Sequence, residues 1–425
     1  MSATGPDAAA EIGRPRRICF VVQRYGTGVV GGAEKYVEAM ASGLAAMGHH
    51  ISVITSCATS YADWADEFEP GTHTEEGVTV HRVRVRQPRD NDRFMPLHLR
   101  AVDGTAEPLW PWAQDRWSQM MGPDLSDVEP LLAGLAASSD ATVLVGYHYA
   151  QTLRLTQIAA SFGPTIVIPT AHPEGAFHVG WVQNMFAHAD HVICLAQEER
   201  DLVRCNHHDA PEVTVVPCPV DPIDVPSGDA VAEVVRRIGA SPGRYAVVVG
   251  RVDPAKGSDD AVHFTQLYRR CIDADFELVV IGPGGDLDGL DGVRATGFVE
   301  DREKDALVAG AAMLVQPSYM ESFSYALMEG WLLGRPAVVQ RRSRVLAGHV
   351  HRSGGGLDYH DYLDFEAAVE TVRRYPALAA GMGAAGRDYV LTDFAWNRVA
   401  EQFLAVVDAT ASGGRHTRPD ARVSA

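Results

Sequence analysis

Short apolar runs alternate with amphipathic stretches along most of the chain. Arg17–Val22 reads as a buried strand. A glycine-rich turn then leads into a predicted helix over Ala33–Met47, where Val37, Met40, Ala41, Leu44 and Met47 recur at helical spacing. Gly48 ends that helix and Ile51–Thr55 predicts the next strand, so the chain opens with a βαβ unit. Val78–Val85 alternates apolar and basic positions, as a half-exposed strand does. Further strands are predicted at Ala141–Val145, Thr165–Ile168, His191–Leu195 and Val213–Val216. After Pro217, Pro219, Pro222 and Pro226 the alternation resumes more cleanly, with strands at Ala246–Val249, Glu277–Ile281, Val293–Thr296, Met313–Val315 and Ala337–Val339. A helix between the first two of these, Asp259–Cys271, is expected to bury Phe264, Leu267, Tyr268 and Cys271.

Two βαβ-built halves joined by a proline-rich crossing predict an α/β protein of two doubly wound, Rossmann-like domains facing a central cleft. A length of 425 residues agrees, because single cores stop growing well short of that size. The expected divisions are a disordered arm over 1–16, a first domain over 17–217 and a linker over 218–229. They continue with a second domain over 230–393, a terminal helix over 394–410 that is a candidate to cross back to the first domain, and a flexible tail over 411–425. Residues 89–130 hold Trp110, Trp112 and Trp117 with several prolines and no clear period. They read as an insertion over the sheet edge, either an irregular cover for apolar surface or a flap for acceptor binding or membrane docking.

Composition narrows the functions. A net charge of −18 argues against nucleic acid as a main partner, because phosphate backbones demand a basic face. Six scattered cysteines without a CxxC pair read as mostly buried, reduced thiols. No signal peptide is visible and no apolar run approaches the ~20 residues that a membrane span needs, so a cytoplasmic protein is expected. Peripheral membrane contact stays open.

The chemistry concentrates at strand ends. Met313-Leu314-Val315 stops at Pro317, and a helix is predicted over Ser324–Leu333, closed by Gly334 and Pro336. Glu321 in the turn and Glu329 in the helix stand eight apart. A helix start beside a carboxylate suits a ligand that carries both phosphates and hydroxyls. Gly250-Arg251-Val252-Asp253-Pro254-Ala255-Lys256-Gly257 follows another strand and sets two cations between glycines, which suits a diphosphate. Gly26-Thr27-Gly28-Val29-Val30-Gly31 fits the dinucleotide fingerprint GxGxxG. The acid that such a site needs at the end of the second strand is missing, since Thr55-Ser56-Cys57 stand there and the next acid is Asp63. Gly282-Pro283-Gly284-Gly285 is another strand-end turn. Asp286 and Asp288 beside it are a weak metal signal, and no catalytic metal is expected.

Over about residues 17–410 the chain resembles the retaining GT-B glycosyltransferases of family 4, the group 1 type. The most specific segments are PSYMESFSYALMEGWLLGRPAVV, similar to the family's E-x7-E strand–turn–helix, and GRVDPAKG. VVGGAEKYVEAMASGLAAMGHHISVITS, HADHVICLAQEERDLV and VVPCPVD resemble its first-domain segments. The resemblance implies that Arg251 and Lys256, beside Gly250, hold a donor diphosphate, and that Glu329 accepts the ribose hydroxyls. It implies that Glu321, with backbone N–H groups around Phe323 and Ser324, contacts the transferred sugar and adjoining phosphate. His172, in Pro169-Thr170-Ala171-His172-Pro173-Glu174, matches a first-domain histidine near the donor sugar, and His148 is a weaker match. Gly31 and Gly32 would approach the donor phosphate or the acceptor. The chain departs from the family at Cys218-Pro219, where Asn-Gly is common, and at Ser322 and Ser324, which replace the glycines of Glu-Gly-Phe-Gly.

The activity so implied is transfer of a sugar from a UDP-, GDP- or ADP-linked donor to an acceptor hydroxyl, with retention and without metal or other cofactor. Cell-envelope glycan and secondary-metabolite synthesis are the expected settings. No residue clearly fills a nucleophile's role, which favours a front-face route. The alternative is a non-catalytic or epimerase-like nucleotide-sugar-binding protein of the same fold.

Overall fold

The computed structural model describes residues 14–29, 31–103, 109–253, 256–287 and 289–413. Most of the expected arm and tail, with Val30 and Asp288, therefore lie outside the described residues. The chain forms two compact units. The first takes it up to Cys194, returns at Leu202–Val216 and closes with the chain from Ala400; the second is Leu195–Asp201 with Pro217–Val399.

The first unit is built on β1 (Arg17–Val21), β2 (His50–Ser56), β3 (Gly71–Glu75), β4 (Val78–Val83), β5 (Ala141–Val145), β6 (Thr165–Ile168), β7 (His191–Cys194) and β8 (Glu212–Val215). They form one sheet in the order β3-β4-β2-β1-β5-β6-β7-β8. Every pair is parallel except β3 with β4. Strands β5, β6 and β7 are buried along their whole length, which explains their unbroken apolar runs. β4 alternates buried and half-buried positions as its sequence predicts. β3 (Gly-Thr-His-Thr-Glu) is almost fully exposed, and its polar composition suits an edge strand.

The second unit holds β9 (Tyr245–Val249), β10 (Glu277–Ile281), β11 (Val293–Gly297), β12 (Met313–Gln316), β13 (Ala337–Gln340) and β14 (Gly356–Tyr359). Their order is β11-β10-β9-β12-β13-β14, parallel throughout. A core cluster packs one face of this sheet against helices and includes Val248, Tyr268, Phe276, Val315 and Phe365.

Four sequence expectations change. Residues 89–130 contain regular helices, Asn91–Asp103, Pro111–Met121 and the start of Val128–Ser138. They do not lie over the sheet edge: Phe94 and Trp117 pack with Phe177 and Phe186, beside the helices that flank the middle strands. Only Trp117 of the three tryptophans is buried, while Trp110 and Trp112 are each 65% exposed. The second change is in helix Ser258–Cys271, which buries Ala261, Val262, Thr265 and Tyr268 and leaves Cys271 exposed. Small residues carry that face, so a stripe drawn from bulky side chains was rotated. Third, β14 has no apolar run, because its residues are mostly half-buried at the edge. Finally, the last helix extends over Trp396–Ser412, with Phe403 stacked on Phe20 at 5.9 Å and Asp408 paired with Arg16 at 2.8 Å.

Helix Tyr325–Leu332 is fixed from behind by Trp331, which is fully buried and donates its indole N–H to the Gly355 carbonyl at 2.8 Å. Trp331→Ala should lower the unfolding free energy by about 3–5 kcal/mol, read by chemical denaturation, because it opens a cavity and orphans that carbonyl.

Candidate functional site

In the second unit, the chain runs from β9 outward to β10 and β11, then returns to place β12 on the other side of β9. The strand order therefore reverses between β9 and β12. Open parallel sheets bind ligands outside the carboxyl ends of strands at such a reversal. The two loops leaving there are 250–257 and 317–324, the segments that carry most of the expected site residues.

Lys256 donates a hydrogen bond from Nζ to Glu321 Oε1 at 2.8 Å, across 65 residues of sequence. The Lys256 side chain is 42% exposed and Glu321 16%. A pair this open to water contributes at most about 1 kcal/mol to stability, so the fold does not need it. Arg251 lies in the same loop, with Nε 3.4 Å from Asp253 Oδ2 and its side chain 46% exposed. Gly250 begins the loop at φ +144°. Gly257 ends it at φ +68° against the Pro317 carbonyl, where an added Cβ would stand 2.2 Å from that oxygen. Glycine there allows the two loops to touch.

Ser324 caps helix Tyr325–Leu332 and accepts from the Leu327 backbone N–H at 3.4 Å. It also accepts from Gln316 Nε2 at 2.9 Å, in a buried contact. Its φ of 150° is a conformation that side chains rarely adopt. Such strain costs about 1–3 kcal/mol and persists only where surrounding contacts enforce it. Phe323 is 4% exposed and packs on Tyr325, His349 and Phe394. Its side chain is structural, leaving its backbone available to a ligand. Burial, with Arg352 nearby, holds the His349 imidazole down to about 3.

Glu329 has a partner that sequence reasoning missed. Lys304, in helix Asp301–Gly310, donates to Glu329 Oε2 at 3.0 Å and to Asp301 Oδ1 at 3.0 Å. Both Lys304 and Glu329 are about 15% exposed (16% and 14%). Burial pulls the Lys304 ammonium down, and Glu329 and Asp301 together more than reverse it, so it is raised overall. The signal was three-dimensional: nothing in the spacing of 25 residues marks this pair.

The first unit repeats the geometry. Its strand order reverses between β1 and β5, whose carboxyl ends lead into the glycine turn and into Gly146-Tyr147-His148-Tyr149. The helix after the glycine turn is Gly32–Ala46, one residue earlier than expected. Gly31 is its extended N-cap, and a Cβ there would lie 2.0 Å from Glu34 Oε2. Glu34 and Arg24 form a buried pair at 2.6 Å, each side chain 6% exposed, which anchors the turn. Gly32 has open space where a Cβ would stand.

His172 Nδ1 lies 3.6 Å from Glu174 Oε1, too long for a hydrogen bond. The Tyr147 hydroxyl donates to that same carboxylate. Burial raises the Glu174 carboxyl, but His172, His148 and the Tyr147 hydroxyl outweigh it and bring it down to about 2. Burial lowers His148 to about 4, and its Nδ1 has no hydrogen-bond partner. Thus His148, the weaker of the two histidines by sequence, stands at the reversal itself, while His172 follows the next strand, β6. Among the described residues no three His, Cys, Asp or Glu side chains gather where they could hold a metal ion.

Residues 31–219 match the glycosyl transferase 4-like domain, and residues 243–372 match the glycosyl transferases group 1. The chain belongs to the group 1 glycosyltransferases. This glycosyltransferase is 25% identical to the glycogen synthase of Mycobacterium tuberculosis (strain CDC 1551 / Oshkosh), over 95% of its own chain and 97% of that protein. It is 26% identical to the D-inositol 3-phosphate glycosyltransferase of Arthrobacter sp. (strain FB24), over 92% and 96%. Its fold matches Anabaena HepE in complex with UDP-glucose, with a TM-score of 0.65 and 14% identity over 93% of this chain and all of that one. It also matches the sucrose-phosphate synthase of Thermosynechococcus elongatus, with a TM-score of 0.63 and 16% identity over 92% and 97%. Its two units have the GT-B architecture of these neighbours.

Ser324 offers a direct check on the strained turn. Ser324→Ala keeps the strain and strands Gln316 Nε2, so it should lower the unfolding free energy by about 1–3 kcal/mol in chemical denaturation. Ser324→Gly loses the same hydroxyl but relaxes the backbone, and should cost measurably less. An equal or larger loss for glycine contradicts strain at this position.

Proposed function

We propose that this glycosyltransferase moves a sugar from a nucleoside-diphosphate donor to an acceptor hydroxyl with retention, and needs no metal. The observation that carries the reading is the Lys256–Glu321 contact at the β9/β12 reversal, beside the start of helix Tyr325–Leu332. Lys256 and Arg251 are half-exposed cations, 42% and 46% open to solvent, whose present contacts can be exchanged for phosphate oxygens. Charge that develops on the leaving diphosphate is stabilised by these two groups and by the helix N-terminus. That is the work a divalent cation would otherwise do.

Glu321, released from Lys256 by the incoming phosphates, takes the hydroxyls of the transferred sugar. Glu329 takes the ribose, with Lys304 holding its carboxylate in place. Among the described residues of the second-unit loops, no second carboxylate is assigned as a nucleophile. The leaving phosphate therefore accepts the acceptor's proton on the face where the new bond forms. Donor contacts for His172, Gly31 and Gly32 rest on the family resemblance. Uracil is the favoured base, since the neighbour HepE was solved with UDP-glucose. A sugar or cyclitol acceptor is supported by the names of the glycogen synthase and inositol phosphate glycosyltransferase relatives.

Incubation with UDP-, GDP- and ADP-sugars and candidate acceptors, with mass analysis of products, tests the activity. Lys256→Ala should lower turnover by about 100-fold or more while its melting temperature stays near wild type. Transfer at wild-type rates by that variant contradicts the reading. Lys304→Met should weaken UDP binding about tenfold in calorimetry and raise the donor KM, with Lys304→Arg largely restoring both. A loss confined to kcat would show that Lys304 does not act through Glu329.

A further inference from the structure

At the opposite end of the second sheet lies a pocket of about 640 Å3 that donor binding does not use. Residues just before β9, β12 and β13 form its floor, at the amino ends of strands whose carboxyl ends carry the donor loops. Arg244, Arg335, Arg373 and Arg374 line it, against only two carboxylates, Asp273 and Glu370. In a chain with net charge −18, four guanidinium groups around one cavity need a reason.

Three of them have local partners. Arg373 pairs with Asp273, Arg374 with Glu370, and Arg244 lies 3.5 Å from Asp273. Arg335 differs. It is half-buried and donates only to carbonyls, from Nη1 to Ala311 at 3.1 Å and from Nε to Leu333 at 3.4 Å. No carboxylate lies within ion-pair reach of it among the described residues. Burial lowers its pKa accordingly, the response of a cation short of an anion. The pocket is also lined by Ala379 and Ala380, in the first turns of helix Pro376–Asp393, whose N-terminus has no side-chain cap. That end adds a partial positive charge.

We propose that this pocket binds a phosphate group, with Arg335 as its central contact and Arg244 and Arg374 at its rim. The volume accommodates a phosphorylated small molecule as well as free phosphate, and the shared chemistry is a dianion that can take a guanidinium fork. Its place beneath the donor strands makes its occupant an effector rather than a substrate.

The test titrates inorganic phosphate and glucose 1-phosphate in thermal-shift and calorimetric assays, at ionic strength matched with chloride. Wild type and Lys256→Ala should bind both, because the latter impairs only the donor end. Arg335→Gln should bind about tenfold more weakly. Arg244→Ser/Arg374→Ser should show the same loss, and its changes are confined to side chains 46% and 70% exposed, which fold without strain. The tighter ligand names the source, and either order supports the site. No binding by wild type, unchanged binding by both pocket variants, or loss in Lys256→Ala would overturn the proposal.

Discussion

Lys256 reaches Glu321 because β9 and β12 are neighbours in a parallel sheet, at the one point where the strand order turns back on itself. Everything proposed for the donor end depends on that adjacency. Parallel strands direct all their carboxyl ends to one rim, and the reversal parts the loops there instead of covering them. The salt bridge itself is too exposed to hold the sheet together. The sheet holds the salt bridge. A weak, exchangeable contact between two loops whose strands are buried is what a binding site requires before its ligand arrives.

The surrounding structure fixes what must stay fixed. Ser324 is kept at a strained φ by its cap and by the buried Gln316 amide, while Phe323 and Trp331 anchor the turn and helix from behind. Glu329 is held by Lys304, in a setting dry enough that losing one partner would leave a costly buried charge. One carboxylate is therefore rigid and the other is released by its lysine. That difference matches the two roles assigned to them, a ribose contact that never changes and a sugar contact made as the phosphates displace Lys256.

Much of this was legible in the sequence, for a physical reason. Strands buried on both faces leave uninterrupted apolar runs, so β5, β6, β9, β10 and β12 could be read to within a residue or so. Glycines and cations at strand ends marked the 250–257 and 317–324 loops. Where burial was partial the signal failed. β14 is half-buried and carries no apolar run, and the buried face of helix Pro111–Met121 mixes Ala113 and Ser118 with Trp117 and Met121 while Trp112 on the same helix is exposed, which blurs the period. Partnerships over long separations were invisible too. Neither Lys304 with Glu329 nor Tyr147 with Glu174 follows from spacing, because the sheet and not the local chain brings them together. The position of His148 at the first-unit reversal is of the same kind: it comes from the order of β1 and β5, which only the fold supplies.

The proposed chemistry rests on nucleoside diphosphate binding at the β9/β12 reversal. Amide hydrogen exchange measured with and without saturating UDP tests it residue by residue. Exchange should slow in 250–257 and 321–329, with the amino ends of the same strands unchanged. Unaltered exchange in both loops at saturating UDP, or protection confined to the glycine turn of the first unit, would contradict it.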